Sequence, residues 1–291
     1  MMEFIQLVKR NILLYLRDRA SVFFSFLSVI IIVVMYALFL GNGQIYNLGK
    51  SLGDVKGIDW LVSSWIMAGI LTVSTVTVPL GVLGTLINDR ESGKISDFYI
   101  SPISRKILAL SYLMSSWVVA FFLVFLNLGI GLFYVVLNGG ALFDLLTFFK
   151  VLGLMVISIM SFSSLFFFIS LFLKSQNAFS LLSTLVGTFI GFLGGIYIPI
   201  GSLGRNVQNM MNLLPSSHSV TLIRRVYMRA AIDQVFKGAP IGAYNEYANI
   251  YGLNIQIGNF EFSSIQMLLS LCLFGVLFYL LSVAKLSKSK L

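Results

Sequence analysis

The sequence predicts an all-α membrane protein whose six transmembrane helices form a single domain over residues 1–291. The mean hydropathy is +0.93, and only 11% of the residues are charged, whereas about a quarter are charged in soluble domains. A helix needs roughly 20 apolar residues to cross the hydrocarbon core of a membrane. Apolar runs of that length occur at 21–40, 61–87, 110–137, 151–173, 178–200 and 265–284.

The first element, residues 1–20, is predicted to be an amphipathic helix that lies in the headgroup region before the first span. Its apolar residues fall near a helical period among charged and polar ones; they are Phe4, Leu7, Val8, Ile12 and Tyr15. We expect this helix to be a structural anchor, with a regulatory helix as the alternative. The start is too charged for a cleavable signal peptide, and the run at 21–40 is long enough to span.

Basic residues flank the predicted spans asymmetrically, which predicts the orientation of the chain. One side gathers Lys9, Arg10, Arg17, Arg19, Arg90, Lys94, Arg105, Lys106, Lys174, Lys285, Lys288 and Lys290, and the short loops of the other side hold Lys50, Lys56 and Lys150. We therefore expect both termini to be cytoplasmic in a bacterial cell membrane. Residues 201–264 then form a large extracellular loop, long enough to escape the charge rule. Because these flanks account for the net charge of +9, no nucleic-acid partner is expected.

Reactive groups are scarce, so no catalytic residue, metal site or cofactor is expected in this chain. The single histidine, His218 in "LLPSSHSV", has no nearby partners to complete a catalytic triad or a zinc site. The stretch "YNLGKS" at 46–51 resembles the end of a phosphate-binding loop. Because Gln44 stands where that motif requires its first glycine, this stretch is not expected to bind a nucleotide.

The strongest polar groups within the predicted spans are Thr75 in the second and Asn127 in the third. They are candidates for a substrate pathway. Hydrogen bonds to their own helix backbone or to a neighbouring helix are the alternative. Pro79 removes a backbone donor from the second span and is expected to kink it, which either opens a cavity or shapes the packing.

Between the second and third spans, "NDRESGKISDFYISPISRKILAL" at 88–110 concentrates charge in an otherwise apolar chain. "NDRESG" ends the second span with a glycine suited to a helix stop. "KISDFYI" has the pattern of a short amphipathic helix, and the proline of "SPIS" favours a new helix start. A helix across the cytoplasmic mouth would act as a lever on both spans when a partner pushes it. An ordinary interfacial loop is the alternative.

The same segment resembles the signature of ABC-2 type permeases, the membrane subunits of one class of ABC transporter. The residues that fit its spacing are Glu91, Gly93, Ser101, Pro102, Ser104 and Arg105. "YLRDRASVFFSFL" and "NLLPSSHSVTLIRRVY" are similar to the family's entry into the first span and to its last outer loop. Lys94 departs from the family, in which threonine is common at this position. The "LSY" at 110–112 and the lack of a proline in the first span are further departures.

This resemblance implies the permease subunit of an ATP-driven exporter, paired with a second copy or a paralogous permease and surrounded by membrane lipid. ATP and Mg²⁺ would bind to separate or fused ABC ATPase subunits. The resemblance implies that the N-terminal helix and the coupling segment (residues 88–109) contact the ATPase. The residues assigned to this coupling are Glu91, Gly93, Lys94, Phe98, Ser101, Pro102, Ser104 and Arg105. The alternatives are a stand-alone secondary transporter or channel, and a membrane-embedded enzyme.

Two further patterns lie toward the C-terminal half. Gly187, Gly191 and Gly195 recur at four-residue intervals in the predicted fifth span, which would place small residues on one helix face. We expect a dimer interface there, and packing within one subunit is equally compatible. "SVTLIRRVYMRAAIDQVF" predicts an amphipathic helix resting against the outer leaflet, with Arg224, Arg225 and Arg229 mainly on its polar face. Gating of substrate exit is the alternative.

Overall fold

Long apolar helices make up most of the structure, a computed structural model that describes residues 2–36, 38, 41–52, 55–100, 103–237, 239, 242–258 and 260–288. In chain order the helices are α1 (Met2–Arg17), α2 (Arg19–Met35), α3 (Gly41–Leu52), α4 (Ile58–Glu91), α5 (Lys94–Ile100), α6 (Arg105–Leu137), α7 (Leu145–Ser170), α8 (Gln176–Leu193), α9 (Arg205–Asn212), α10 (Pro215–Tyr227), α11 (Arg229–Val235), α12 (Ala243–Ile250) and α13 (Ser264–Lys288). A 3₁₀ turn spans Ile200–Ser202, and β1 (Gln256–Ile257) pairs antiparallel with β2 (Phe260–Glu261).

Within the described residues, five helices are long and apolar enough to cross a membrane: α4, α6, α7, α8 and α13. A sixth crossing results if α1 and α2, which meet at a bend of 70°, are counted as one broken span. The prediction of an all-α protein that crosses the membrane several times is confirmed at this level. The short hairpin of β1 and β2 is an addition to it.

The central helix is α4, which packs against α6, α7, α8 and α10. In its most apolar window 89% of the residues are buried, as expected of a helix that is apolar on all sides. The helix is continuous through Pro79 and extends beyond the predicted span, 61–87, to Glu91. The charged sequence "NDRE" therefore forms its last turn and is not part of a loop.

Several helices begin and end at residues that the sequence marks for this purpose. Asp18 caps α2, accepting hydrogen bonds from the backbone N–H groups of Ala20 and Ser21 at 3.1 and 3.2 Å. Ser104 caps α6 through the N–H of Ile107 at 3.3 Å. Gly93 follows the end of α4 with φ +77°, a conformation that favours glycine. The predicted helix stop at Gly93 is confirmed.

The predicted fifth span, 178–200, is wrong at its C-terminal end. Helix α8 ends at Leu193, and the N–H of Gly194 bonds to the carbonyl of Ile190 at 2.8 Å. Gly195 then adopts φ +59°, which ends the helical path. The prediction continued to residue 200 because it relied on apolar residues alone.

The predicted outer loop, 201–264, is a folded region whose helix α10 lies against α4, α7 and α13. The predicted single amphipathic helix is two helices, α10 and α11, which meet at Met228. The expectation that Arg224 lies on a polar outer face is wrong, because this side chain is buried.

Helices α7 and α13 approach closely at Gly275. A β-carbon there would lie 2.9 Å from the Cα atom of Ser161, and backbone cannot yield as a flexible side chain does. By contrast, a β-carbon at Gly129, midway along α6, would meet no atom within 4 Å. Gly275 thus sets the distance between these two helices.

We expect Gly275→Ala to destabilise the protein by about 1–3 kcal/mol, the usual cost of overpacking, and to lower the midpoint of thermal unfolding in detergent. Gly129→Ala is the matched control, and it should leave the midpoint unchanged or raise it, because alanine favours helix. Equal midpoints for the two variants would contradict the close approach of α7 and α13.

Candidate functional site

Asp89 is a buried carboxylate in the last turn of α4, with a side chain only 2% exposed. Arg10 of α1 forms an ion pair with it, and the Tyr112 hydroxyl of α6 donates to its Oδ2 atom at 2.6 Å. Lys94 Nζ, at the start of α5, lies 3.9 Å from Oδ1. A buried charge needs partners of this kind. The carboxylate therefore joins α1, α5 and α6 to the end of α4.

Arg10 extends this arrangement along α1. It also donates to the oxygen atoms of Tyr112 at 3.3 Å and Asn11 at 3.0 Å, and its guanidinium lies 5.3 Å from the centre of the Phe98 ring. Asn11 donates in turn to the hydroxyl of Ser111 at 3.2 Å. We call the group of Arg10, Asn11, Asp89, Lys94, Phe98, Ser111 and Tyr112 the Asp89 network.

The next two residues of α4 cap the hairpin between α7 and α8. Arg90 donates to the carbonyl of Ser170 at 3.0 Å and to that of Leu173, at the C-terminal end of α7. Glu91 accepts from the backbone N–H of Gln176 at 3.1 Å, at the first residue of α8. A cation at a helix C-terminus and an anion at a helix N-terminus both interact favourably with the helix dipoles. The hairpin is thus bound to the coupling segment.

Other residues assigned to the coupling segment shape its backbone. Gly93 forms the turn before α5, and its carbonyl accepts from the N–H of Ser96 at 2.9 Å. Ser104 starts α6, and Arg105 is the first residue of that helix. The predicted sites Ser101 and Pro102 lie outside the described residues.

Helix α5 is anchored on one face and presents the other. Ile95 is buried, and Phe98 is half-buried under Arg10. The side chain of Ile100, at the last position of the helix, is 87% exposed. The outward face of α5 therefore ends in an apolar side chain that the rest of the described chain does not cover.

An open cavity of about 810 Å³ lies beside the Asp89 network, between α1, α2, α4 and α8. A smaller cavity of about 280 Å³ shares part of its wall and continues along α2 and α4 as far as Thr77. Hydroxyl, amide and aromatic groups line the larger cavity, among them Tyr15, Ser21, Phe24, Thr85, Asn88, Gln176, Ser180, Ser183 and Thr184.

The two residues predicted for a substrate pathway are both buried, Thr75 on α4 and Asn127 on α6. Thr75 donates to the carbonyl of Thr72 at 2.7 Å, and Asn127 donates to the hydroxyl of Ser74 at 3.2 Å. In the described part of the chain, neither side chain lines the two cavities. Their contacts are those of the alternative, bonds to their own helix and to its neighbour.

The three glycines predicted for a dimer interface do not share one helix face. Gly187 is exposed on α8, and a β-carbon there would meet no atom within 4 Å. Gly191 packs against the ring of Tyr197, and Gly195 lies beyond the end of the helix. Only Gly187 therefore faces outward from the chain.

At the opposite end of the bundle, Arg224 of α10 is buried, and no carboxylate of the described residues forms an ion pair with it. Its guanidinium lies 4.5 Å from the centre of the Trp65 ring and donates to the carbonyls of Tyr251 at 3.2 Å and Gly195 at 3.0 Å. Burial lowers the pKa of Arg224 to about 10, so the side chain remains a cation at neutral pH.

His218 and its neighbouring serines also form structural bonds. One ring nitrogen of His218 lies 3.0 Å from the carbonyl of Asn212, and the other contacts the hydroxyl of Ser270 on α13. Ser217 donates to the carbonyl of Met211 at 2.6 Å. Across the described ranges, no three His, Cys, Asp or Glu side chains are arranged to hold a metal ion.

Sequence reasoning missed Arg10, Asp89 and Tyr112 as parts of one site. The sequence did contain one indication of this site: "ND" follows directly on an apolar run. A carboxylate at the end of such a helix needs a cation as its partner. The partner could not be identified from the sequence, since Arg10 and Asp89 are 79 residues apart.

Comparison with known proteins supports one family. The sequence model described as "ABC-2 type transporter" matches residues 2–228, which include the whole Asp89 network, the coupling segment and both cavities. A search of curated proteins found no match.

We expect Asp89→Asn to destabilise the protein by about 2–3 kcal/mol. This is less than the ~3–5 kcal/mol typical of breaking a fully buried pair, because the Arg10 side chain is 29% exposed. Asp97→Asn is the matched control on the exposed side of α5. Thermal unfolding in detergent measures both, and equal midpoints would refute the role of the Asp89 network.

Proposed function

The chain belongs to the ABC-2 type transporter family and is therefore a membrane permease of an ABC-type system, and from this premise we propose that it is the permease subunit of an ATP-driven exporter. In this proposal it works as a dimer with a second copy or a paralogous permease. ABC ATPase subunits bind ATP and Mg²⁺ and drive it through the coupling segment.

The Asp89 network is the observation that supports coupling at this place. A nucleotide can drive transport only if ATP binding favours one conformation of the permease through different contacts in the two states. A partner that displaces α5 acts on Lys94 and Phe98, which contact Asp89 and Arg10. Through these two side chains the displacement reaches the middle of α1, the last turn of α4 and the first turns of α6 together.

We assign different roles to the residues of the coupling segment. Glu91, Lys94 and Phe98 hold the segment to the permease, because their contacts lie within the chain. Ile100 and the exposed face of α5 contact the ATPase. Ser101, Pro102 and Arg105, which follow directly, are proposed as part of the same contact surface.

The cavity between α1, α2, α4 and α8 is proposed as one half of the substrate pathway. Helix α8 is the wall that a second permease would cover, because only 17% of its apolar window is buried within the chain. Gly187, exposed on this helix, then lies at or near the dimer interface. Thr75 and Asn127 shape the packing of α4 against α6 behind the cavity.

The basic flanks place the end with α5 in the cytoplasm. The coupling segment would then face cytoplasmic ATPase subunits, and Arg224 would lie near the extracellular side.

The test is co-purification of the ATPase with the tagged chain from its native membrane in mild detergent. Ile100→Asp should reduce the ATPase yield at least about tenfold, because an exposed interface anchor typically contributes 2 kcal/mol or more. Ile100→Leu, which keeps an apolar side chain, should retain the ATPase. Neither change should lower the unfolding midpoint, since the side chain packs on little of the permease.

ATP-dependent transport by the reconstituted complex is the second measurement, repeated with Glu91→Ala and Pro102→Ala. Both changes should lower the amount of substrate transported for each ATP that the complex hydrolyses. If no ATPase co-purifies and the chain transports alone after reconstitution, the stand-alone secondary transporter is correct. An ATPase that stays bound to Ile100→Asp would contradict the contact assigned to α5. It would not contradict the proposal that the chain is a permease coupled to an ATPase.

A further inference from the structure

A separate cavity, of about 330 Å³, lies at the end of the bundle opposite α5. The start of α4, the turn between α6 and α7, the start of α7, and α11 surround it. Because spanning helices begin and end here, the cavity lies at the level where hydrocarbon gives way to water. We call it the interfacial cup.

Charges of both signs line the cup without neutralising one another. Asp233 and Asp144 contribute carboxylates, and Lys150 and Arg229 contribute cations; all four residues are exposed, and Asp144 also caps α7 by accepting from the N–H of Thr147 at 3.3 Å. In the described part of the chain, Lys150, Arg229 and Asp233 form no ion pair or side-chain hydrogen bond. The cup can therefore hold a ligand that carries a cation and an anion close together.

Aromatic side chains form the rest of the wall. Trp60 and Tyr227 line it, and Phe143 packs edge-on against Tyr227 with ring centres 4.7 Å apart. Trp60 lies against Gly140, where any β-carbon would collide with the indole. A tryptophan at this depth suits the interface, where such rings accumulate, and its face attracts ammonium groups.

The rim of the cup continues into an exposed apolar strip on α6 and α7. Its members are Phe133, Leu137, Leu142, Leu145, Leu146 and Phe149, each at least 60% exposed. On a membrane helix such a strip faces hydrocarbon chains. A polar recess joined to an apolar strip has the form of a phospholipid, with its headgroup in the cup and a chain along the helices.

We propose that the interfacial cup binds the headgroup of a phospholipid that carries a phosphate and a primary ammonium, such as phosphatidylethanolamine. Arg229 and Lys150 contact the phosphate, for which a guanidinium is well suited. Asp233 and Asp144 accept hydrogen bonds from the ammonium, which a trimethylated headgroup cannot donate. The inference depends neither on an ATPase partner nor on the direction of transport.

Native mass spectrometry of the purified full chain, together with any co-purifying subunit, tests this site. The probes are phosphatidylethanolamine, phosphatidylcholine and phosphatidylglycerol with identical acyl chains. We expect the ethanolamine lipid to be retained about tenfold better than the other two, since a hydrogen bond to a charged group contributes about 1.5–3 kcal/mol.

Two variants separate the roles of the two signs. Asp233→Asn should weaken the ethanolamine lipid about tenfold and leave the glycerol lipid unchanged, whereas Arg229→Gln should weaken both, because both carry a phosphate. Glu246→Gln and Arg205→Gln are the matched controls, since both are exposed residues outside the cup, and they should change neither.

Several results would overturn the proposal. Equal retention of the three lipids would do so, as would preference for the glycerol or choline lipid. If Asp233→Asn lost both the ethanolamine and the glycerol lipid, the carboxylate would not be recognising the ammonium group. Displacement of the lipid by an equal concentration of soluble glycerophosphoethanolamine would assign the cup to a small soluble zwitterion.

Discussion

The structure depends most on one buried carboxylate, that of Asp89. Removing a carboxylate from water is costly unless a cation and hydrogen-bond donors replace the water, and Arg10, Tyr112 and Lys94 supply them. Each of these partners lies on a different helix. The N-terminal helix, α5 and two spanning helices consequently meet at this carboxylate, and separating α1 from α4 would remove its nearest cation.

Helix α4 carries that constraint from one end of the bundle to the other. It is buried on nearly all sides, and near its far end Trp65 contacts the buried cation of Arg224. Two carbonyl oxygens and an aromatic face contact this cation, its Nε atom has no hydrogen-bond partner, and no acid of the described residues pairs with it. Contacts of this kind fix α4 near both of its ends.

Structural contacts explain several of the signature residues in the coupling segment. Glu91 and its neighbour Arg90 lie at the ends of α8 and α7, where their charges complement the helix dipoles. Gly93 and Ser104 form the turn and the cap on either side of α5. The charge concentrated in this stretch therefore serves mainly to join helices, whereas Ile100 at the end of α5 stays exposed.

Within the described residues, the sequence by itself determined five of the six predicted spans and the helix stop at Gly93, because hydropathy and helix-stop signals depend on neighbouring residues. It also determined the family, whose signature lies in one continuous stretch. Only the tertiary structure decided that α8 ends at Leu193, that Arg224 is buried and that Asp89 pairs with Arg10. The pairing and the burial depend on contacts between distant segments, and a charge in a sequence does not show whether water or protein surrounds it.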